Sequence, residues 1–393
     1  MNILWLTSWY PNRISPFDGD FIQRHALAVA SCIPLTVIYV AQYGESVPVN
    51  KGEIVITNNG NLKEIVIFFS FKRTGIKIID KMIYNWKYYS AYKKYIRQHF
   101  AGNGLPDMIH VHVPMKAGTI AQWIKSKWHI PYIVSEHSAT YVPGPPDSFK
   151  NRSLYYRKRV ASVFRKASAV TSVSQHDGYL IKKIFSLKEV NVIRNVVDTD
   201  HFYYEGNSKN DPFSFIHVSA MNYQKNIEGI IAAFAVLAKQ RKDWRLQLIG
   251  NDSNDIKKMI TAAGIQDKVL LPGEISNAAV AQQMQRSNAL VMFSRYENFP
   301  CVIIEALCCG LPVIASRVAG IPEAVNDSNG ILVDNGNVQQ LAEALAAIME
   351  VYERFNRKEI AAHAASQYNY GLIARQFISL YKTVLTETDP PST

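Results

Sequence analysis

Residues 289–334 constrain the fold more than any other stretch, because they predict a strand, a loop, a helix and a second strand in close succession. Ala289 to Phe293 is a short apolar run of the kind found in buried strands. Pro300 suits the first position of a helix, and Gly310 suits the helix end. Leu311 to Ala315 is the next buried strand. This order indicates a parallel α/β sheet, which binds ligands at the carboxyl ends of its strands, and the free N–H groups of the helix start favour an anion there.

Two carboxylates bracket the predicted loop and helix. Glu297 lies in the loop, and Glu305 lies eight positions later inside the helix. The stretch Tyr-Glu-Asn-Phe-Pro-x4-Glu-Ala-Leu-x-x-Gly-Leu-Pro-Val-Ile-Ala is followed by Gly-Ile-Pro-Glu at residues 320–323. This pattern resembles the donor-site signature of the retaining glycosyltransferases of family 4, which have the GT-B fold. The Glu-x7-Glu spacing alone carries little information, and the Gly-Leu-Pro-Val continuation makes the resemblance specific.

The resemblance implies a nucleotide-sugar site along this segment. Glu305 would bind the ribose hydroxyls of the donor. Glu297 would act in catalysis, by hydrogen bonding a hydroxyl of the transferred sugar and supporting an oxocarbenium-like transition state. The residues between the two carboxylates would face the donor diphosphate: Asn298, Phe299, Pro300 and Cys301.

Strand and helix patterns alternate through the whole chain, which at 393 residues is long enough for two domains. The resemblance implies an α/β protein of the GT-B type, with two Rossmann-like parallel-sheet domains facing across a cleft and the last helix crossing back to the first domain. We predict an acceptor-side domain at 1–200, a linker at 201–212 and a nucleotide-sugar-binding domain at 213–371. The returning helix is predicted at about 372–387.

The loop after the first predicted strand contains Gly19, just before a helix predicted from about Phe21 to Ala30. A glycine at a helix start lets the backbone approach a phosphate closely. In family 4 such a glycine lies next to the donor phosphates, so the resemblance assigns Gly19 to donor binding; the alternative is an ordinary turn glycine. The neighbouring Asp18-Gly-Asp20 looks like an Asp-x-Asp metal motif, but two acids around a turn glycine are common by chance. We predict no metal and no cofactor.

Pro131 to Ser138 is predicted as a strand with a polar tip, and it resembles the family strand that ends in a histidine facing the sugar. The resemblance assigns a catalytic role to His137; the alternative is a strand-end histidine bonded to the backbone. His110 and His112 alternate along an earlier strand and therefore share one side of it. No third metal ligand is spaced nearby, so we expect them to be structural or to line the cleft.

The segment after the first strand of the second domain resembles the family's Gly-Arg-Leu-x-x-x-Lys-Gly sequence, whose arginine and lysine bind the donor diphosphate. Lys225 matches the lysine, a point charge that neutralises phosphate. The chain departs from the pattern because Ser219 replaces the glycine and Ala220 replaces the arginine. Either Lys225 and helix amides suffice, or another basic residue reaches the phosphates, such as Arg295 or Arg24.

Two further strand ends are predicted to contact the nucleotide. Gly250 ends the strand that begins at Trp244 and should border the nucleotide. In the family, backbone groups just after the following strand hold the base. The resemblance gives that role to Gly273, Glu274 and Ile275.

Positive charge is concentrated in the first half of the chain. Residues 1–210 contain 27 lysines and arginines against 14 acidic residues, whereas residues 211–371 contain 14 against 16. Basic and aromatic residues interleave at 72–100, and a second basic cluster follows at 150–166. Such a surface suits an anionic membrane, which we rank above nucleic acid because the other motifs point to sugar transfer. The alternative is a solvated helix face whose aromatic residues pack inward.

Cellular location follows from what the sequence lacks. The first residues read directly as a strand, without a basic or long apolar leader. No apolar run reaches the roughly 18 to 20 residues needed to span a bilayer. The four cysteines show no paired metal spacing and are expected to be reduced: Cys32, Cys301, Cys308 and Cys309. We therefore expect a cytoplasmic protein that can associate with the inner face of the plasma membrane.

The predicted function is a metal-independent, retaining transfer of a hexose from a UDP- or GDP-sugar. The predicted acceptor is a saccharide or a polyprenyl-linked saccharide in the synthesis of a cell-surface polysaccharide or glycolipid. Two alternatives remain at this point. One is a sugar-nucleotide epimerase of the same fold, and the other is a catalytically silent partner subunit, which the alanine at position 220 keeps open.

Overall fold

The computed structural model describes residues 1–43, 52–206 and 211–388, which form two α/β domains that face each other across a cleft. Each domain is built on one mainly parallel sheet. Strands such as Ile3–Thr7 and Met108–His112 are buried along their whole length. Continuous burial of this kind requires helices on both faces of the sheet, and it explains why these strands read as apolar runs in the sequence.

The first domain contains eight described strands and five helices. The strands are β1 (Ile3–Thr7), β2 (Leu35–Gln42), β3 (Ile54–Asn59), β4 (Leu62–Phe69), β5 (Met108–His112), β6 (Tyr132–Glu136), β7 (Ala169–Ser172) and β8 (Asn191–Val192). The helices are α1 (Asp20–Ala30), α2 (Lys77–Asn103), α3 (Ala117–Trp128), α4 (Leu154–Lys166) and α5 (Gln175–Phe185). The strand order is β3-β4-β2-β1-β5-β6-β7-β8, with β3 antiparallel to β4 and the other pairs parallel.

The second domain has a six-stranded parallel sheet. Its strands are β9 (Phe213–Ser219), β10 (Trp244–Gly250), β11 (Val269–Gly273), β12 (Ala289–Met292), β13 (Val313–Ser316) and β14 (Gly330–Val333). Its helices are α6 (Ile227–Gln240), α7 (Asn254–Ala262), α8 (Asn277–Gln285), α9 (Cys301–Cys308), α10 (Val338–Val351) and α11 (Arg357–Tyr368). The strand order is β11-β10-β9-β12-β13-β14.

The last helix, α12 (Tyr370–Thr388), follows the second domain in sequence but packs against α1 of the first domain. Its residues Ile373, Phe377 and Tyr381 share a hydrophobic core with Trp5 of β1. The indole Nε1 of Trp5 donates a hydrogen bond to Tyr381 Oη at 3.2 Å. The predicted return of the last helix is confirmed, as is the two-domain α/β fold.

The strand order reverses between β1 and β5 in the first sheet and between β9 and β12 in the second. At such a point the chain leaves neighbouring strands in opposite directions, and a crevice opens outside their carboxyl ends. The loops that follow these four strands all contribute residues to the cleft. The topology alone therefore brings the motif-bearing loops of both domains together.

Some predicted boundaries differ from the structure. Helix α9 begins at Cys301, and Pro300 is the extended residue before it, with φ −69° and ψ 124°, because a capping residue keeps non-helical angles. The basic and aromatic stretch at 72–100 is helical only from Lys77, where α2 begins, since Gly75 with φ +85° interrupts the backbone before it. Of the predicted linker, residues 207–210 lie outside the described residues.

Candidate active site

The cleft between the two sheets has a volume of about 640 Å³ and is lined by both domains. Its walls are the loops after β1, β5 and β6 on one side and after β9 and β12 on the other, with the first turns of α1 and α9. Eight predicted site residues line it: His137, Lys225, Glu297, Asn298, Phe299, Pro300, Cys301 and Glu305. Four others are not among its lining residues, and their donor contacts stay predictions: Gly19, Gly250, Gly273 and Ile275.

Glu297 is held in one position within the loop between β12 and α9. Its carboxylate accepts hydrogen bonds from Ser294 Oγ at 2.7 Å and from Gln224 Nε2 at 3.3 Å, and it forms an ion pair with Lys225. The residue is only 4% exposed. A carboxylate with three partners and little access to water is preorganised, so it can stabilise positive charge that develops on a bound sugar ring.

Lys225 closes a short 3-10 turn between β9 and α6, and its side chain is 17% exposed. Asn226 follows with a φ of 53° and turns the chain into α6. Ala220 also lines the cleft, so this wall has a methyl group where the family pattern has a guanidinium. On the β9–α6 segment, the cationic group in the cleft is therefore Lys225.

Glu305 lies in the middle of α9 and forms an ion pair with Arg24 of α1, across the two domains. The two side chains are 9% and 11% exposed. Burial is the largest influence on the Glu305 carboxyl and raises its pKa, while the adjacent Arg24 cation acts in the opposite direction. Asp20 also pairs with Arg24, at 2.9 Å. The carboxylate predicted to bind ribose is thus partnered by the first domain.

His137 follows β6 and is linked to a row of buried histidines. Its Nε2 lies 3.0 Å from Nδ1 of His112, and its Nδ1 is buried on the side of the ring near Asn195. His110 contacts Tyr381 Oη and Ser135 Oγ, each at 2.7 Å. Burial lowers the pKa of all three histidines well below the usual range, so their rings are neutral at pH 7. His110 is structural, and His112 supports the ring of His137 at the cleft wall.

Glu136 holds the backbone that carries His137. Its carboxylate accepts hydrogen bonds from the backbone N–H groups of His137 and Ser138, both at 2.8 Å, and from Tyr141 Oη at 2.9 Å. The residue is 1% exposed, and burial raises the pKa of its carboxyl. These bonds set where the tip of β6 enters the cleft.

Gly19 occupies a position that no other residue fits. Its φ is +72°, and a Cβ atom there would lie 2.7 Å from the carbonyl carbon of Trp9 and 2.9 Å from the backbone nitrogen of Tyr10. The close approach packs the loop between β1 and α1 against itself. Asp20, Phe21 and Arg24 on the helix that follows then line the cleft. The loop therefore needs glycine at position 19 for its own packing.

Several contacts join the domains at the edge of the cleft. Asn298 Nδ2 donates to Asp177 Oδ2 at 3.2 Å, and Asn298 Oδ1 accepts from Ser174 Oγ at 2.7 Å. Asn195 Nδ2 donates to the Phe299 carbonyl oxygen at 2.6 Å. The loop between the two motif carboxylates is therefore bound to the first domain as well as to its own.

Glu323 makes a further contact between the domains. Its carboxylate accepts from the backbone N–H groups of Gln175 at 3.0 Å and His176 at 2.9 Å, at the start of α5. It also pairs with Arg194 at 3.1 Å. The free N–H groups of a helix start favour an anion. Glu323 of the second domain therefore supplies a carboxylate that binds the free N–H groups at the start of α5 in the first domain.

Sequence reasoning missed several residues that shape the site. Glu136, Asn195 and Gln224 line the cleft, but their roles depend on partners from 1 to 104 positions away in the chain. No local pattern distinguishes such residues. The sequence offers Arg24 and Arg295 as basic residues that could take the place of the missing motif arginine. Arg24 lines the cleft, whereas Arg295 is not among its lining residues.

A second groove of about 750 Å³ lies between the β7–β8 edge of the first sheet and α12. It is larger than the cleft but contains none of the predicted site residues. Its charged lining residues are of both signs: Arg165, Lys188, Glu189 and Glu387. The chemistry expected of this chain therefore lies in the smaller cleft between the domains.

No group of three or more His, Cys, Asp or Glu residues in 1–43, 52–206 and 211–388 is arranged to hold a metal ion. No helix in the same part of the chain is both long and apolar enough to cross a membrane.

The fold matches that of solved glycosyltransferases. Sucrose-phosphate synthase from Thermosynechococcus elongatus aligns with a TM-score of 0.78 over 99% of this chain and 100% of that chain, at 18% sequence identity. At this identity the likeness concerns the fold alone. Two parallel-sheet domains around a cleft, with the last helix returning to the first domain, define the fold class as GT-B.

Two family models match the sequence in succession. The description "Glycosyltransferase Family 4" applies to residues 53–201, and "Glycosyl transferases group 1" applies to residues 201–365. Together they cover most of both domains. The chain belongs to the family 4 type of glycosyltransferases.

Two relatives illustrate the chemistry found in similar proteins. GDP-mannose:cellobiosyl-diphosphopolyprenol alpha-mannosyltransferase of Xanthomonas oryzae pv. oryzae (strain PXO99A) is 24% identical over 263 residues, which are 65% of this chain and 68% of that protein. The provisionally named teichuronic acid biosynthesis glycosyltransferase TuaC of Bacillus subtilis (strain 168) is 24% identical over 405 residues, covering 98% of this chain and 99% of that protein.

Proposed function

We propose that this protein transfers a hexose from a UDP- or GDP-sugar to a saccharide or polyprenyl-linked saccharide, with retention of anomeric configuration and without a metal ion. One observation carries the proposal. The two carboxylates of the family signature, Glu297 and Glu305, both line the cleft, and each is paired with a buried cation, Lys225 or Arg24. A nucleotide sugar offers hydroxyl groups to the carboxylates and phosphates to the cations.

The leaving group of the reaction is a nucleoside diphosphate, whose developing negative charge needs stabilisation. Lys225 lies at the cleft beside the start of α6, and the first turn of α9 begins at Cys301 in the same cleft. An ammonium group and free helix N–H groups both stabilise anions, most strongly where water is excluded. We expect these groups to supply the positive potential that a metal ion supplies in other transferases.

The transferred sugar is expected to lie between Glu297 and His137, which line opposite walls of the cleft and belong to different domains. The ring of His137 is neutral, lines the cleft and is held by His112, so we expect it to contact a hydroxyl of the transferred sugar. Glu297 would bind a second hydroxyl and oppose the positive charge of the oxocarbenium-like state. Retention by front-face attack, without a covalent intermediate, is the outcome that the family pattern implies.

An acceptor that carries a lipid would bring the protein to a membrane. The mannosyltransferase relative is named for a diphosphopolyprenol acceptor, and TuaC is named for teichuronic acid biosynthesis. In this chain the start of α2 and the residue before it carry large apolar side chains that are 41–74% exposed: Ile76, Ile78, Ile79, Met82 and Trp86. Exposed lysines and an arginine flank them: Lys72, Arg73, Lys77 and Lys81. An apolar cluster within basic charge fits an anionic bilayer surface at the inner face of the plasma membrane.

The tyrosines farther along α2 pack inward, so the membrane surface that we propose is smaller than the one predicted from the sequence. Tyr88 and Tyr92 are buried, and Tyr84 and Tyr95 pack against the core of the first domain. The interpretation of inward-packing aromatic residues therefore holds for this part of the helix. On α2, the surface that remains for a membrane is the first three turns and the segment before them.

Vesicle flotation tests this surface. Ile78→Ser with Trp86→Ser should remove most binding to vesicles that contain anionic lipid, because burial of large apolar side chains is lost. Leu270→Ser is the matched control, since Leu270 is 55% exposed but lies on β11 of the second domain. Equal binding by all three proteins would contradict the assignment.

The first test of function is ligand binding by thermal shift. UDP, GDP, ADP and their common sugar conjugates are compared in the presence of EDTA. A ligand at 100 times its dissociation constant adds roughly 2.7 kcal/mol to the free energy of unfolding. A shift with one base identifies the donor class, and the matching sugar conjugate is then incubated with and without saccharide and polyprenyl-linked acceptors.

The alternatives give different results in the same experiment. An epimerase would convert the sugar of the donor with no acceptor present, whereas a transferase would need the acceptor. A silent partner subunit would show no shift with any nucleotide, and this result would overturn the proposed transfer. A shift that appears only when a divalent cation is added would contradict metal independence but not donor binding.

A further inference from the structure

The cleft contains few cationic groups. Among the described residues that line it, the lysines and arginines are Arg24, Arg152 and Lys225. Arg152 pairs with Asp147 at 3.1 Å, and the two side chains are 39% and 62% exposed. Arg24 and Lys225 are only 11% and 17% exposed. The buried positive charge of the site therefore comes from one residue of each domain.

Arg24 projects from the first turns of α1 into the space between the domains. Its Nη2 donates to Asp20 at 2.9 Å, and its Nη1 donates to Glu305 of the opposite domain. Its Nε is buried and has no hydrogen-bond partner among the residues that the structure describes. A guanidinium has five N–H donors in a planar fork, and here one edge of that fork is incompletely used.

Arg295 is committed elsewhere. Its guanidinium forms an ion pair with Glu228 and donates to the Tyr223 carbonyl oxygen, and it stacks 4.1 Å from the centre of the Tyr223 ring. It is not among the residues that line the cleft. Of the two arginines near the motif segments, Arg24 has the buried position and the unused donor.

We propose that Arg24 is a ligand, supplied by the first domain, of the terminal phosphate of the donor's nucleoside diphosphate, and that its ion pair with Glu305 is exchanged for contacts to the nucleotide when the donor binds. The inference rests on the proposed function. The phosphate takes the place of Glu305 on the guanidinium, and the ribose hydroxyls take the place of Arg24 on the carboxylate. Each buried charge thus keeps a partner throughout, which avoids the large penalty of leaving a buried charge unpaired.

The exchange predicts a specific selectivity. An arginine that contacts the terminal phosphate of a nucleoside diphosphate contributes to binding of the diphosphate and much less to binding of the monophosphate. Because Arg24 and Glu305 belong to different domains, the same nucleotide is held by both. An arginine that served only to close the domains through Glu305 would affect both nucleotides alike.

The experiment measures dissociation constants of the mono- and diphosphate of the stabilising base by calorimetry. Arg24→Gln is expected to weaken diphosphate binding by about 10- to 100-fold, the range for a hydrogen bond to a charged group. Monophosphate binding should change by less than about threefold. Arg24→Lys should recover part of the loss, because it keeps the charge without the planar fork. Arg295→Gln is the matched control and should leave both constants within about threefold.

Glu305→Gln keeps the proposal testable if the Arg24 variants fold poorly. It removes the ribose carboxylate and leaves Arg24 in place, so both nucleotides should weaken while the ratio of their dissociation constants stays near that of the unsubstituted protein. Equal weakening of mono- and diphosphate by Arg24→Gln would overturn the inference, as would unchanged or tighter diphosphate binding. If the unsubstituted protein binds no nucleotide, the proposed function fails and this inference fails with it; a lost ratio effect alone leaves the proposed function standing.

Discussion

At the scale of single residues, Glu297 and Glu305 have the same chemistry but different surroundings. Glu297 is held by its own domain, through Lys225, Ser294 and Gln224. Glu305 is held by Arg24 of the opposite domain. The first arrangement keeps a carboxylate still, as an electrostatic catalyst requires, and the second ties the carboxylate to a residue of the opposite domain.

Glu297→Gln should separate catalysis from binding. We expect turnover of the identified donor to fall by about 100-fold or more, because the amide cannot oppose the positive charge of the transition state. Affinity for the nucleoside diphosphate, which lacks the sugar, should change by less than about threefold. Glu343→Gln, on the exposed face of α10, is the control. Undiminished turnover in Glu297→Gln would exclude the proposed role.

A second prediction at this scale concerns His217, which is fully buried in β9. Its Nδ1 contacts the Val291 carbonyl oxygen at 2.8 Å, and its Nε2 contacts Ser219 Oγ at 2.7 Å. Burial lowers its pKa from 6.5 to about 4, and the hydrogen bond to Val291 acts against this. The folded state therefore favours the neutral ring, while the unfolded state takes up a proton below pH 6.5.

The contribution of His217 to stability is thus complete above pH 6.5 and is lost as the pH falls towards 4. Over that interval the unsubstituted protein should lose about 3 kcal/mol more of its free energy of unfolding than His217→Asn does. Urea unfolding at several pH values between 4 and 7 measures the difference. His363→Asn, on the exposed side of α11, should follow the unsubstituted protein. Parallel curves for His217→Asn would show that the ring is not held neutral.

At the scale of elements, the loops after β1 and after β12 position the site in different ways. The β12–α9 loop is fixed by side-chain hydrogen bonds, several of them from the first domain. The β1–α1 loop is fixed by backbone packing around Gly19. The second kind of loop tolerates no Cβ atom, and a change there moves the helix that carries Arg24.

Gly19→Ala and Gly75→Ala form a matched pair. Both glycines have positive φ, +72° and +85°, but a Cβ at Gly75 meets nothing within 4 Å. Gly75→Ala should cost about 1 to 2 kcal/mol for the left-handed backbone alone. Gly19→Ala adds a steric clash with Trp9, so it should lower the free energy of unfolding further and weaken nucleoside diphosphate binding. Urea unfolding and calorimetry measure the two effects, and equal results for the pair would show that the close approach is unimportant.

At the scale of the whole molecule, the two domains share hydrogen bonds as well as a cleft. Glu323 completes the start of α5, Arg24 pairs with Glu305, and α12 joins the core beside β1. Polar partners on opposite domains connect the position of each domain to the arrangement of the site. Donor binding and domain position are therefore expected to be linked.

Glu323→Gln tests this coupling. The amide loses the charge that faces the start of α5 and Arg194, and hydrogen bonds to a charged group contribute about 1.5 to 3 kcal/mol each. Hydrogen exchange at the first amides of α5 should become faster, while exchange within β12 to β14 stays unchanged. Glu343→Gln is again the control, because its carboxylate accepts a hydrogen bond from Gln339 of its own helix. Slow exchange at α5 in Glu323→Gln would mean that other contacts hold the domains.

The amino-acid sequence by itself determined the alternation of strands and helices, the two sheets and the family. Buried parallel strands must be apolar along their length, and the motif from Glu297 to Gly310 is continuous in the chain, so both are visible locally. Only the tertiary structure decided which cation meets which carboxylate. Arg24 and Glu305 are 281 positions apart, and the topology of two facing switch points brings them together. An ion pair between two domains produces no recognisable pattern in the sequence, because Arg24 could pair with any of many carboxylates until the folded chain brings Glu305 next to it.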